Sequence, residues 1–125
     1  MSKLMIVDDD LDTTRLLEMI LSRDGYETKA VNNGGNAVSE AISYQPDVIL
    51  LDLMMPVVDG LEVCRNLRAD SRFKRTAIIL FTAKGDLDTQ ITAFEAGANA
   101  FLQKPFRPQE LRLKLNTLVS HDSEA

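Results

Sequence analysis

The chain has 125 residues, one cysteine and one histidine, and its formal net charge is −5. This length fits one compact domain that needs no disulfide or structural metal, and the negative charge disfavours general binding to nucleic acid or to anionic membranes. The single cysteine forms no internal disulfide, and no apolar stretch is long enough for a signal peptide or a membrane span, so we expect a cytoplasmic protein.

The first half of the chain alternates short apolar runs with helical patterns. Residues 3–7 predict a strand that ends in three consecutive acids, Asp8, Asp9 and Asp10. Apolar residues at helical spacing predict a helix over 11–23, with Asp10 as its N-terminal cap. Residues 26–31 alternate as an edge strand does, and a second helix, starting near Ala37, ends before Pro46.

The central strand is predicted from Val48 to Leu51, because an unbroken apolar run is typical of a parallel strand covered on both faces. It ends at Asp52, and ligands of open parallel α/β sheets bind beyond the carboxyl ends of the strands. Pro56 and the Asp59-Gly60 pair then turn the chain into a loop. Taken alone, Asp52 fits a strand end or a turn cap as well as it fits a reactive carboxylate.

The second half of the chain continues this alternation. A third helix carries Cys64 on its apolar face, where we expect a buried structural residue and not a reactive thiol. A polar, solvated connection at 70–75 precedes an apolar strand at 77–81, which ends at Thr82.

The remaining elements are shorter. A fourth helix is stopped by Gly97, and a fifth strand is predicted at 100–102. Lys104 follows this strand, and the last helix carries leucines as far as Leu118.

Five successive strand and helix pairs predict an α/β fold. We expect a doubly wound, five-stranded parallel sheet in the flavodoxin-like order 2-1-3-4-5, with helices on both faces. Residues 1–120 would form this domain and residues 121–125 a polar C-terminal tail, in which His121 is expected to be solvated.

Polar residues follow the predicted strands at one edge of this sheet, namely Asp8, Asp9, Asp52, Thr82 and Lys104. Three neighbouring carboxylates repel one another and need a cation, and hard oxygen ligands of this kind suit Mg²⁺. An ammonium and a hydroxyl beside the metal provide the positioning and charge neutralisation that phosphoryl transfer requires. Asp52 lies centrally among these residues and is the best candidate for the nucleophile.

With these motifs the sequence resembles the receiver domains of two-component response regulators, of the chemotaxis-response-regulator type, over essentially its whole length. The resemblance is carried by Asp8-Asp9, Asp52 within LLDLMMPVVDG, Thr82-Ala83 and Lys104-Pro105-Phe106. Each motif is weak alone, but their order at the ends of the predicted strands is specific. The resemblance implies a phosphorylated signalling switch and not an enzyme that acts on external substrates.

The resemblance also implies roles for individual residues. Asp52 would accept a phosphoryl group from a sensor histidine kinase or a histidine phosphotransfer protein. Asp9, Asp52 and the backbone carbonyl of Met54 would bind Mg²⁺ directly, and Asp8 would assist through water. Lys104 would contact the phosphoryl oxygens, with its following peptide bond in the cis form. We also expect the bulk of Met54 to slow self-catalysed hydrolysis.

The same family pattern makes Thr82 the switch hydroxyl, which is drawn toward the new phosphoryl group. Phe101 occupies the position of the aromatic switch residue and would turn inward as Thr82 moves. A static aromatic in the core is the alternative for Phe101.

The resemblance also implies two surfaces that bind partner proteins. A kinase is expected to dock on the first helix, near Thr14 and Leu17, and on the loop after Lys104. The face formed by the fourth helix, fifth strand and fifth helix would act on a downstream protein target or a fused output domain. Asn99-Ala100 stand where dimerising transcription factors carry an acidic pair, so we do not expect that dimer.

Three other functions fit parts of this pattern. A pseudo-receiver would keep the fold as an interaction module without phosphorylation, yet the acids, Thr82 and Lys104 are all present. A Mg²⁺-dependent phosphatase usually has a second acid two residues after its nucleophile, where this chain has Met54. A flavodoxin-like cofactor carrier needs a phosphate-binding loop after the first strand, where three acids would repel a phosphate.

Overall fold

The computed structural model describes residues 2–124, and it describes side chains for residues 2–118. Within this part of the chain there are five strands: β1 (Lys3–Val7), β2 (Glu27–Val31), β3 (Val48–Asp52), β4 (Ala77–Thr82) and β5 (Ala100–Gln103). They pair in parallel in the order β2-β1-β3-β4-β5, which confirms the predicted topology.

Helices follow every strand. Among the described residues they are α1 (Leu11–Arg23), α2 (Ala37–Tyr44), α3 (Gly60–Ala69), α4 (Leu87–Glu95) and α5 (Pro108–Glu124). The backbone of α5 continues past residue 121, where the sequence led us to expect the start of a polar tail. The expected solvation of His121 concerns a side chain outside those described. None of these helices is long and apolar enough to cross a membrane.

The central strand β3 is buried along its whole length, as its apolar run predicts. Alternate residues point to opposite faces of the sheet, so Ile49 and Leu51 join one core cluster and Val48 and Leu50 join the other. The first cluster is covered by α2 and α3 and includes the fully buried Cys64, which confirms the burial expected of this residue. The second is covered by leucines of α1 and α5, namely Leu17, Leu21, Leu111 and Leu115.

The connection between α3 and β4 is not the fully solvated segment that its polar residues predict. Phe73 lies in a 3-10 turn, Ser71–Phe73, and is only 1% exposed. Arg68 of α3 donates hydrogen bonds to the backbone carbonyls of Phe73 and Gly97, at 2.7 and 2.8 Å. These bonds hold the turn against the core, so one apolar residue within a charged stretch is buried.

Aspartate side chains cap the N-termini of α1, α3 and α4. Asp10 accepts a hydrogen bond from the backbone NH of Asp12 at 3.0 Å, which confirms it as the N-cap of α1. Asp59 caps α3 in the same way, through the NH of Leu61 at 2.9 Å. Each cap fixes the residue at which its helix starts.

Gly60 begins α3 directly against the end of β3. A Cβ atom here would lie 2.5 Å from the backbone oxygen of Asp52 and 2.7 Å from the Cα of Leu53. These are backbone atoms of a buried strand end, and they cannot move aside as the tip of a flexible side chain can. The close approach of two backbone segments therefore requires glycine at this position.

We expect Gly60→Ala to destabilise the fold by about 2 kcal/mol, because the added methyl group overpacks the junction of β3 and α3. Urea unfolding followed by circular dichroism measures the change. Gly35→Ala is the matched control, since its Cβ would approach the side chain of Asn33 at 3.2 Å on an exposed turn. Equal stability of the two variants would contradict the requirement for glycine.

Candidate metal centre at the carboxyl edge of the sheet

The three acids predicted to form a metal site lie together. One carboxylate oxygen each from Asp8, Asp9 and Asp52 lies within 4.8 Å of the other two. Strands β1 and β3 are neighbours, and the pairing of Val7 with Leu51 brings Asp8 beside Asp52 one residue further on. The register of two strands therefore holds Asp8 and Asp52 together, independently of loop conformation.

Lys104 brings a positive charge to these acids from the end of β5. Its Nζ lies 2.9 Å from Oδ2 of Asp8 and 3.5 Å from Oδ2 of Asp52. Its backbone NH donates to the carbonyl of Thr82 at 2.8 Å, and its peptide bond to Pro105 is cis, as the resemblance implies. The lysine is thus held at the site by backbone contacts as well as by charge.

Burial and charge raise the pKa of Asp52. This side chain is buried, and its pKa rises to about 6, first through loss of solvation and then through repulsion by Asp8. The ammonium of Lys104 and the backbone NH of Met54, 3.2 Å from Oδ1, oppose the rise. Burial lowers the pKa of Lys104, but its hydrogen bond to Asp8 and the attraction of both acids outweigh that effect and raise it. The lysine therefore stays charged at neutral pH.

The donor set fits Mg²⁺. Carboxylate oxygens are hard ligands, and one ammonium cannot neutralise three carboxylates of which Asp8 and Asp52 are buried. The excess negative charge is what a divalent cation would offset. The exposed Asp9 leaves the site open to solvent, which suits an ion that keeps several of its waters.

Thr82 and Phe101, the two residues expected to form a switch, are both buried. Thr82 ends β4 at the carboxyl edge, and its Oγ1 accepts a hydrogen bond from the backbone NH of Lys84 at 3.3 Å. Phe101 pairs with Leu80 across β4 and β5, and its ring belongs to the core cluster covered by α2 and α3.

The backbone of Met54 lies beside the acids. Its NH donates to Asp52, and it forms an isolated antiparallel bridge with Asp59. The side chain is 63% exposed. The peptide of Met54 is therefore held at the site while its thioether faces solvent.

The two residues named for kinase docking on α1 prove to be internal, so that expectation is wrong for these side chains. Thr14 and Leu17 are buried, whereas Leu16 and Met19 are exposed. Adjacent residues on a helix point about 100° apart. Helical spacing alone does not decide which of Leu16 and Leu17 faces the sheet.

Asn32 contributes to the site and was missed by sequence reasoning. Its Nδ2 donates to the backbone carbonyl of Asp8 and to Oγ1 of Thr14, each at 2.9 Å. In the sequence it opens the run Asn32-Asn33-Gly34-Gly35, which indicates a turn. Nothing in that pattern distinguishes Asn32 from Asn33.

Without metal, we expect Asp52→Asn to be more stable than the unaltered chain near neutral pH, by about 3 kcal/mol. The folded state holds the Asp52 proton more tightly than the unfolded state, so wild-type stability falls as the pH rises from about 4 to about 6. An amide does not titrate, so the difference disappears below about pH 4. Urea unfolding with chelator across this range measures it. A less stable variant near neutral pH would contradict the raised pKa.

Sequence comparison identifies the family. The family model described as response regulator receiver domain matches residues 4–116. The transcriptional regulatory protein ResD of Bacillus subtilis is 41% identical over 98% of this chain and 50% of its own length. The chain therefore spans about half the length of the curated relatives it matches.

Solved structures agree with this match. The chemotaxis protein CheY4 of Vibrio cholerae has a TM-score of 0.89 at 30% identity, with 94% of this chain and 98% of that chain covered. The receiver domain of sensor histidine kinase PA1611 from Pseudomonas aeruginosa, with a magnesium ion coordinated in its active site cleft, has a TM-score of 0.86 at 31% identity, with 95% and 98% covered. The chain thus belongs to the response regulator receiver domains of two-component signalling.

Proposed function

We propose that this receiver domain is phosphorylated on Asp52, with Mg²⁺, by the phosphohistidine of a sensor histidine kinase or a histidine phosphotransfer protein in the cytoplasm. The observation that carries the proposal is the convergence of three acids, a lysine and a buried threonine at one edge of the sheet. This set contains each group that phosphoryl transfer to a carboxylate requires.

Asp52 is the group that would attack phosphorus. One of its oxygens forms the new O–P bond while the N–P bond of the phosphohistidine breaks, and the imidazole leaves with the electron pair of that bond. Its pKa of about 6 leaves the carboxyl mainly ionised at neutral pH, as a nucleophile must be. Lys104, already 3.5 Å from Oδ2 of Asp52, would donate hydrogen bonds to the phosphoryl oxygens.

Asp9, Asp52 and the backbone carbonyl of Met54 are the proposed direct ligands of Mg²⁺. Asp8 would act through water, because its carboxylate is already bound to the ammonium of Lys104. The bound ion would neutralise charge on the phosphoryl oxygens during transfer.

Thr82 and Phe101 are the proposed switch pair. Phosphorylation would draw the Thr82 hydroxyl from its contact with the NH of Lys84 toward the new phosphoryl oxygens. The ring of Phe101 is buried in this structure. A switch residue would be buried in one signalling state and exposed in the other, whereas a static core aromatic would be buried in both, so burial here fits either role. The domain would then act as a signalling switch, reset by its own hydrolysis, and not on external substrates.

A groove beside the acids supports docking of the phosphodonor on α1 and on the loop after Lys104. Its volume is about 480 Å³, and its apolar lining includes Leu16, Ile20, Pro105 and Phe106. Lys104 lines the same groove, so a partner seated there would lie next to the phosphoacceptor. The exposed part of α1 is therefore the proposed contact.

The α4–β5–α5 face is the proposed output surface. Leu87, Ile91 and Phe94 recur at helical spacing on α4 and are exposed. Asn99 accepts hydrogen bonds from the NH of Ile78 and from Arg68, and its neutral amide carries no charge for an ion pair between molecules. A downstream protein or a fused output domain, and not that dimer, is the proposed recipient.

We expect one labile phosphoryl group per chain after incubation with Mg²⁺ and a small-molecule phosphodonor, seen as a gain in intact-protein mass. Asp52→Asn and chelator should each abolish the gain, because one removes the nucleophile and the other the cation. Asp59→Asn is the matched control, since Asp59 caps α3 and has no proposed part in the chemistry. No gain in a folded chain that binds Mg²⁺ would overturn the proposal and favour the pseudo-receiver.

We expect Met54→Asn to lose its phosphoryl group several times faster than the unaltered chain. The exposed thioether flanks the approach to Asp52, and an amide in its place would hydrogen-bond the attacking water. Loss of phosphoryl mass with time gives the rate. Met19→Asn is the control, because Met19 is similarly exposed, at 56%, on the outer face of α1. Equal rates in all three proteins would refute the role of Met54.

A further inference from the structure

Asn32 connects the end of β2 to the loop that carries the acids. Its Nδ2 lies 2.9 Å from the carbonyl oxygen of Asp8 and 2.9 Å from Oγ1 of Thr14. A carbonyl oxygen only accepts hydrogen bonds, so the atom of Asn32 that faces Asp8 is the amide nitrogen. Its two hydrogens are both used, one for each partner.

Thr14 continues the chain of hydrogen bonds in one direction. Its hydroxyl donates to the carbonyl of Leu11 at 3.1 Å and so is free to accept from Asn32. The side chain is buried, 1% exposed, which strengthens a bond that would compete with water on the surface. The end of β2 is thereby tied to the first turn of α1.

The segment enclosed by these bonds is 8–11, which contains the acid pair. The NH of Asp8 donates to the carbonyl of Val31 at 3.1 Å, and the NH of Asp10 donates to Oδ1 of Asp8 at 2.9 Å. Asp9 is exposed, and within residues 2–118 its carboxylate has no hydrogen bond or ion pair. The loop backbone therefore sets where the Cα–Cβ bond of Asp9 points, and no hydrogen bond among the described residues holds the carboxylate beyond it.

We propose that Asn32 and Thr14 are positioning residues for the metal centre. They fix the peptide between Asp8 and Asp9, so that the Asp9 carboxylate stands where one cation can meet it together with Asp52. This inference rests on the proposed function, because it assumes that these acids bind Mg²⁺. Without the two hydrogen bonds, water would solvate the Asp8 carbonyl. The loop would then become ordered only when Mg²⁺ binds, and the free-energy cost of ordering it would weaken Mg²⁺ binding.

Asn32→Ala tests the inference in the full chain, with the Mg²⁺ dissociation constant measured by isothermal titration calorimetry. We expect Mg²⁺ binding about tenfold weaker, as is usual when a residue that orients a metal ligand is lost. Asn33→Ala is the matched control with unchanged affinity, since Asn33 lies in the same turn and its side chain accepts from the NH of Gly35.

Substitutions of Thr14 separate positioning from packing. Thr14→Val removes the hydroxyl at nearly constant volume and should weaken Mg²⁺ binding, whereas Thr14→Ser keeps the hydroxyl and should retain the affinity. In phosphorylation by a small-molecule donor, Asn32→Ala should raise the Mg²⁺ concentration for half-maximal rate and leave the maximal rate unchanged. A change in the Mg²⁺ concentration for half-maximal rate without a change in the maximal rate does not arise from a general loss of stability. Urea unfolding with chelator measures that stability separately.

Two results are distinguishable. If the unaltered chain and Asn32→Ala bind Mg²⁺ equally well, the hydrogen bonds serve the fold alone and the inference is overturned while the proposed function stands. If the unaltered chain binds no Mg²⁺, the proposed function fails and this inference fails with it.

Discussion

The structure depends on holding negative charges together at one edge of a parallel sheet. Asp8 and Asp52 are buried side by side because their strands are in register, and Lys104 offsets only part of their charge. The charge that remains raises the free energy of the metal-free fold, and a divalent cation would offset it. Burial of the Asp52 carboxyl first, and its repulsion by Asp8 second, raise the pKa of Asp52 to about 6.

The surrounding backbone gives these acids little freedom to move apart. Asp10 and Asp59 cap α1 and α3, and Gly60 allows α3 to begin in contact with the end of β3. Lys104 is held by its own backbone bond to Thr82. A cap or hydrogen bond of this kind contributes about 1 kcal/mol to stability. Several together therefore offset the repulsion between the carboxylates at this edge of the sheet.

The sheet and the grouping of its polar residues could be predicted from sequence because both follow a short-range pattern. Each apolar run stops at a polar residue, and parallel strands bring those stops to one edge. Details that depend on how an element sits on the sheet could not be predicted. Leu17 is buried and Leu16 exposed although spacing treats them alike, and Phe73 enters the core from a charged segment. Asn32 was missed because its partners lie 24 and 18 residues away.

The ion pair between Lys104 and Asp8 joins residues 96 positions apart in the chain. The lysine follows β5, the last strand of the sheet, whereas the acids belong to β1 and β3. During translation the carboxylates leave the ribosome well before the ammonium that balances them. A nascent chain that ends before Lys104 contains all three acids but lacks the ammonium that lies 2.9 Å from Asp8. The two buried acids and the lysine that offsets part of their charge therefore come together only after β5 has been synthesised.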